Sequence, residues 1–194
     1  MINLAIFASG SGTNAERLFE KFIRHPRGRV VVLLTNNPRA GAIARAERFG
    51  VPVVVFDKQD LANTGAVLTH LRAHSVDLIV LAGFLLKIPP ELTQAYPDRI
   101  INIHPALLPA YGGKGMYGRH VHEAVVAAGE TETGISIHYV NEHYDEGRLI
   151  RQERCPVLPE DSPEDVAARV HHLEHQYYPE VVAELVDALV RREK

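Results

Sequence analysis

"INLAIFASGSGTNAERLFEKFIRH", residues 2–25, decides how the rest of the chain is read. It opens with a continuous apolar run, Ile2 to Ala8, of the kind a strand buried on both faces shows. It turns on Gly10 and Gly12, then continues with Leu18, Phe19, Phe22 and Ile23 spaced to share one stripe of a helix. Strand, glycine turn and helix make the first half of a parallel βαβ unit. The alternation recurs through strands RVVVLLT (29–35), VPVVVF (51–56), DLIVLA (77–82) and the run ending at His104. Between them lie the helical pattern AGAIARAERFG (40–50), a longer helix around 60–74, and a short one after Pro89 and Pro90. Five strands, all parallel, thus carry the chain to His104.

Beyond that point the grammar changes. YGGKGMYG (111–118) holds four glycines and reads as a loop, and a helix follows over 119–129. TGISIHYV and RLIRQERCPV are alternating segments joined by NEHYDEG, so close together that an antiparallel pair is expected. Ser162 and Pro163 open the last helix. The expected fold is α/β: a Rossmann-like, mostly parallel sheet with helices on both faces and an antiparallel pair at one end, one domain over 1–194.

Apolar residues make up 46% of the 194 and charged residues 23%, which leaves disorder without a basis. The 21 Lys and Arg against 24 Asp and Glu give a formal charge of −3, so the basic excess that nucleic acid requires is missing. Cys155 is the sole cysteine, which rules out an intramolecular disulfide and suits a cytoplasmic protein. LIVLAGFLL is too short to cross a membrane, and the N-terminal run reads as a strand rather than a targeting signal.

Candidate chemistry gathers at the ends of the parallel strands. In RIINIHPALLP (99–109), Asn102 and His104 share one strand face while Ile101 and Ile103 fill the other, and Pro105 ends the strand. Ligands of open parallel sheets sit beyond such carboxyl ends, so the polar pair faces a crevice. Gly12, Thr13 and Asn14 stand at the start of the first helix, where free N–H groups and the helix dipole form an anion cradle. Read as G-x-G-x-x-A, the same turn fits a dinucleotide site. Strand two, however, ends in LLTNNPR, without the acid that a ribose would need; Arg39 leaves room for an NADP enzyme, and a monophosphate explains the loop more simply. Asp145 lies in the joining loop. If that loop folds over the carboxyl edge, its carboxylate reaches His104, raises the imidazole's pKa and makes it a proton donor. With no serine or cysteine nucleophile beside them, the attacking group must come from a substrate or water.

These pieces together resemble the folate-dependent formyltransferases, most closely those acting on glycinamide ribonucleotide in purine synthesis. The likeness covers most of the chain through ASGSGTN, LIVLAGFL (78–85), NIHPALLP (102–109), GISIHYV (134–140), YDEG and RVHHLEHQYYP (169–179). It implies formyl transfer from 10-formyltetrahydrofolate, as co-substrate and without a metal, to the substrate amine. It assigns catalysis to Asn102, His104 and Asp145, with His104 the proton donor. Gly12, Thr13 and Asn14 would hold the phosphate and Glu174 the ribose hydroxyls. Leu85, Leu86, Lys87 and Ile88 would bind folate together with Asn102, Val140 and Asn141, backbone groups reading the pterin. Small-molecule substrates, no nucleic acid, no membrane and an open option of a homodimer complete the expectation. The chain departs from its relatives in a longer 111–118 loop, in Leu86 where some carry arginine, and in His171 where a lysine would precede Glu174.

Rival readings attach to the histidines. HHLEH (171–175) matches the H-x-x-E-H zinc-protease pattern, but no third ligand announces itself. His120 and His122 are expected on a helix surface or lid, and His138 and His143 receive no role. Formyltetrahydrofolate hydrolysis and transfer to methionyl-tRNA are the nearest relatives of the reaction. Both are associated with extra domains, which a chain starting its first strand at Ile2 and ending with its helix is expected to lack. A phosphoribosyl-binding module without catalysis is the alternative of another class.

Overall fold

Alternation of apolar side chains sets the two faces of the sheet. In β1 (Ile2–Phe7), Ile2, Leu4 and Ile6 belong to one buried cluster, Ala5 and Phe7 to the other. In β4 (Leu78–Leu81) and β5 (Ile100–His104), Leu78, Val80, Ile101 and Ile103 join the first cluster, and Ile79, Leu81 and Ile100 the second. A strand with apolar groups on both sides needs helices on both faces. The computed structural model, which describes residues 1–192, supplies them. Helices α1 (Thr13–Phe22), α2 (Gly41–Arg48), α6 (Arg119–Ala127) and α7 (Pro163–Arg192) contribute to the first cluster, and α3 (Lys58–Ala62), α4 (Gly65–Ala73) and α5 (Pro90–Ala95) to the second.

With β2 (Gly28–Thr35), β3 (Val53–Val55), β6 (Glu132–Tyr139) and β7 (Leu149–Pro156), the sheet has seven strands in the order β3-β2-β1-β4-β5-β6-β7. The first five are mutually parallel, and β6 and β7 are antiparallel additions at one end, as the sequence pattern requires. Strand order reverses between β1 and β4. Loops leaving those two strands therefore diverge to opposite faces and open a crevice.

Two expectations are corrected. The longer helix at 60–74 is two helices, parted at Asn63 and Thr64, where Thr64 takes φ 49. Asp57 starts α3 by accepting from the N–H groups of Gln59 and Asp60, and the positive φ of Thr64 breaks the helical ladder between the two helices. Ile23 does not join the stripe of Leu18, Phe19 and Phe22: helix α1 stops at Phe22 and Ile23 is 65% exposed. Helix α7 starts as its sequence suggests, with Ser162 Oγ accepting from Asp165 N (3.2 Å) and Asp165 Oδ2 from Ser162 N (2.9 Å). Farther along, the fully buried Tyr178 donates to the Leu81 carbonyl at 2.8 Å and pins α7 to the carboxyl end of β4.

Candidate active site

A cavity of about 800 Å³ lies at the switch point and takes in every site residue named from the sequence. One end is the glycine turn. Gly12 caps α1 with φ 76, and a Cβ there would stand 2.5 Å from the Cα of Ala42, so glycine answers both the left-handed backbone and the close approach of α2. No side chain among the described residues caps this helix. The N–H groups of its first turn, at Thr13 and Asn14, stay free to meet an anion. Helix α7 closes this end with Glu174, which is 5% exposed. Its Oε2 accepts from Asn14 Nδ2 and faces His171 Nδ1, both at 2.9 Å, which leaves Oε1 for a ligand hydroxyl. The bond to Glu174 raises the pKa of His171 above the ordinary value against the effect of burial, which favours the cationic form of the ring beside the anion cradle.

Asn102 and His104 occupy the middle, on the face of β5 opposite Ile101 and Ile103. His104 is 3% exposed, and its Nε2 lies 2.7 Å from the carbonyl of Tyr111. A carbonyl only accepts, so Nε2 keeps its proton and the ring's acid–base traffic runs through Nδ1. That nitrogen faces Asp145 Oδ2 at 3.6 Å, beyond hydrogen-bond length but within strong Coulomb range. The loop carrying Asp145 lies over the carboxyl edge, as expected, where it lines the same cavity as His104. Ile101 pairs with Tyr139 and His104 with Ser136, so β6 ends near the start of β5. Residues 140–145 then return toward the far end of β5, where Asp145 lies 3.6 Å from His104 Nδ1 and 3.7 Å from His138 Nε2. Asp145 makes the turn with φ 55 and ties down a second loop by accepting from Gly113 N at 2.9 Å.

His138 is a member of this centre that the sequence reading left without a role. It is 2% exposed, its Nδ1 donates to the Tyr139 carbonyl (2.9 Å), and its Nε2 accepts from Asn102 Nδ2 at 3.2 Å. Burial pushes its pKa below the ordinary 6.5, against the pull of Asp145 at 3.7 Å. A neutral imidazole thus orients the Asn102 amide and leaves its second N–H to the cavity. The signal was present: in GISIHYV, Ser136 and His138 alternate with Ile135 and Ile137 as Asn102 and His104 do with their neighbours. Ser136 is the matching structural residue. Its Oγ donates to the Ala106 carbonyl and accepts from Leu108 N and Gln152 Nε2, which fixes the turn after His104.

The far end is apolar. Leu85, Leu86, Lys87 and Ile88 leave β4 opposite Val140 and Asn141. Leu85 N is held by Ser9 Oγ (3.0 Å), itself bonded to Asn36 Oδ1 (2.6 Å), so the segment is fastened to the ends of β1 and β2. Lys87 Nζ sits 5.6 Å from the centre of the Tyr144 ring across the mouth. His120 is exposed on α6, whereas His122 is 3% exposed and lines the cavity, which corrects its placement on a surface or lid: packing of α6 on α7 turns it inward. Among the described residues no three His, Cys, Asp or Glu side chains stand close enough to share a metal ion.

Comparison with known proteins gives this arrangement a family. Residues 2–182 match the formyl transferase family. The chain is 37% identical over 199 residues to phosphoribosylglycinamide formyltransferase of Bacillus subtilis (strain 168), with 100% of both proteins covered. It is 44% identical over 194 residues to the chloroplastic phosphoribosylglycinamide formyltransferase of Arabidopsis thaliana, covering 97% of this chain and 66% of that protein. Such plant relatives are longer, and the chain spans about two thirds of the Arabidopsis protein's length. The crystal structure of glycinamide ribonucleotide transformylase 1 from Geobacillus kaustophilus superposes with a TM-score of 0.88 at 39% identity, covering 96% of this chain and 99% of that one. With family, full-length identity and fold in agreement, the chain belongs to the formyl transferase family, among the phosphoribosylglycinamide formyltransferases.

Proposed function

We propose that the chain transfers the formyl group of 10-formyltetrahydrofolate to the amine of glycinamide ribonucleotide, in de novo purine synthesis. One observation carries the reading: a single cavity joins an anion cradle, a polar centre of Asn102, His104 and Asp145, and an apolar arm. The acceptor's phosphate meets Gly12, Thr13, Asn14 and the imidazole of His171, and its ribose hydroxyls meet Glu174. Leu85 to Ile88 enclose the pterin with Val140 and Asn141. The amine and the formyl carbon then meet at Asn102, and this alignment supplies much of the acceleration.

The amine nitrogen attacks the formyl carbon, and the carbonyl oxygen becomes an oxyanion. The free N–H of Asn102 and the Nδ1–H of protonated His104 are aimed at that oxygen. Each such donor lowers the barrier by about 3 kcal/mol, roughly 10² to 10³ in rate. The tetrahedral carbon collapses with loss of its bond to the folate nitrogen. His104 Nδ1 gives that nitrogen a proton, while Asp145 or an ordered water takes the one shed by the amine. Protons balance, and tetrahydrofolate leaves. The reaction belongs in the cytoplasm, where the thiol of Cys155 stays reduced, and it admits a homodimer. No helix among the described residues is long and apolar enough to cross a membrane.

The test is a spectrophotometric assay of purified protein with glycinamide ribonucleotide and a 10-formyl folate. Product formation dependent on both is expected. Folded protein that forms none refutes the assignment, and deformylation of the donor with water alone would make the chain a hydrolase.

A further inference from the structure

The first turn of α6 carries a side chain that the roles above do not use. His122 is 3% exposed, and its buried Nδ1 has no hydrogen-bond partner among the described residues, although the ring lines the cavity. A buried polar atom left unpaired is costly, and a native structure tolerates it where a ligand completes the bond.

The surroundings say which part of a ligand. The His122 ring centre is 6.4 Å from that of His171 at the anion cradle, and Glu174 and His104 are also near enough to act on it electrostatically. Burial, followed by repulsion from His171, holds the His122 pKa below the ordinary 6.5, whereas the Glu174 bond raises that of His171. The two shifts run in opposite directions. That of His171 favours the cation, suited to phosphate. His122 is neutral, with one donor and one acceptor, which matches a secondary amide and matches a phosphate poorly.

The acceptor assigned above has one such amide, between its ribose and its reacting amine. Along the cavity that position falls between Glu174 and His104, where His122 stands. We propose that His122 recognises this amide through a ring nitrogen and so selects acceptors whose amine is carried on a glycinamide arm. The proposal rests on the acceptor assignment, and its test keeps the two apart.

Steady-state kinetics of His122→Leu and His122→Gln with glycinamide ribonucleotide would be compared with inhibition by ribose 5-phosphate, which has the sugar and phosphate but no amide. His122→Leu should raise the acceptor KM about tenfold, with the folate KM and the ribose 5-phosphate inhibition constant changed less than about twofold. His122→Gln, which keeps a donor and an acceptor, should recover most of that loss. In the unaltered protein the imidazole nitrogen NMR signals of His122 should move on adding glycinamide ribonucleotide and stay in place with ribose 5-phosphate, a readout that needs no variant to fold. A wild-type acceptor KM in His122→Leu, an equal loss of ribose 5-phosphate binding, or unmoved NMR signals would overturn the proposal while formyl transfer stands. An unaltered protein without turnover would remove the acceptor assignment and this proposal with it.

Discussion

Asp145→Asn isolates one charge. Asparagine has nearly the shape of aspartate and tolerates the left-handed backbone that residue 145 adopts, and its amide oxygen can still accept from Gly113 N. What disappears is the negative charge 3.6 Å from His104 Nδ1. At that separation, with an effective dielectric of about 20, the attraction to a protonated ring is about 4–5 kcal/mol. Water in the cavity mouth weakens it, and about 3 kcal/mol, or roughly 10² in kcat, is the expected loss. Loss of Asp145 as proton acceptor acts in the same direction. The assay is kcat at saturating substrates, with both KM values expected to change less than about threefold because neither substrate is gripped by this carboxylate. A double-mutant cycle sharpens the result: added to His104→Ala, the Asp145→Asn change should cost far less than it does alone, since its partner is gone. A kcat within about threefold of wild type, or losses that simply multiply, would refute the reasoning.

Two further predictions follow from particular atoms. Gly12→Ala forces a Cβ to 2.5 Å from the Ala42 backbone at φ 76, so the acceptor KM should rise at least about tenfold while the folate KM holds; equal binding of the acceptor by the variant would contradict the anion cradle. Stability should peak near pH 6.5 as far as the histidines determine it. His122, His138 and His175 are held below 6.5 by burial, so as pH falls through 6.5 the unfolded chain binds protons that the fold refuses, and stability drops. The raised pKa of His171 works the other way: its contribution is complete below 6.5 and is lost as pH climbs through the folded value. Urea unfolding across pH would show both limbs, and His171→Gln should flatten the alkaline one; an unchanged alkaline limb in that variant would refute the pairing with Glu174.

Much of this architecture was legible because it rests on local rules. Apolar runs of strand length separated by amphipathic helices led to the parallel order of β1 to β5, and Pro105 after His104 marked a carboxyl end. What escaped depends on docking between distant segments. The helical spacing of HVHE is compatible with either a wet or a dry His122, and only the packing of α6 on α7 turns it inward. The split at Thr64 depends on a positive φ that no residue type at that position announces. The union of Asp145 with His104 was expected on chemical grounds, yet the return of residues 140–145 toward the far end of β5 follows from the antiparallel register of β6, which periodicity alone does not reveal.

The bond from Gly113 N to Asp145 Oδ2 joins the glycine-rich segment to the one delivering the carboxylate. In the proposed reaction, the two cannot separate without dismantling the proton acceptor. A change in the glycine-rich segment would thus reach His104 through Asp145, although that segment itself supplies no catalytic side chain.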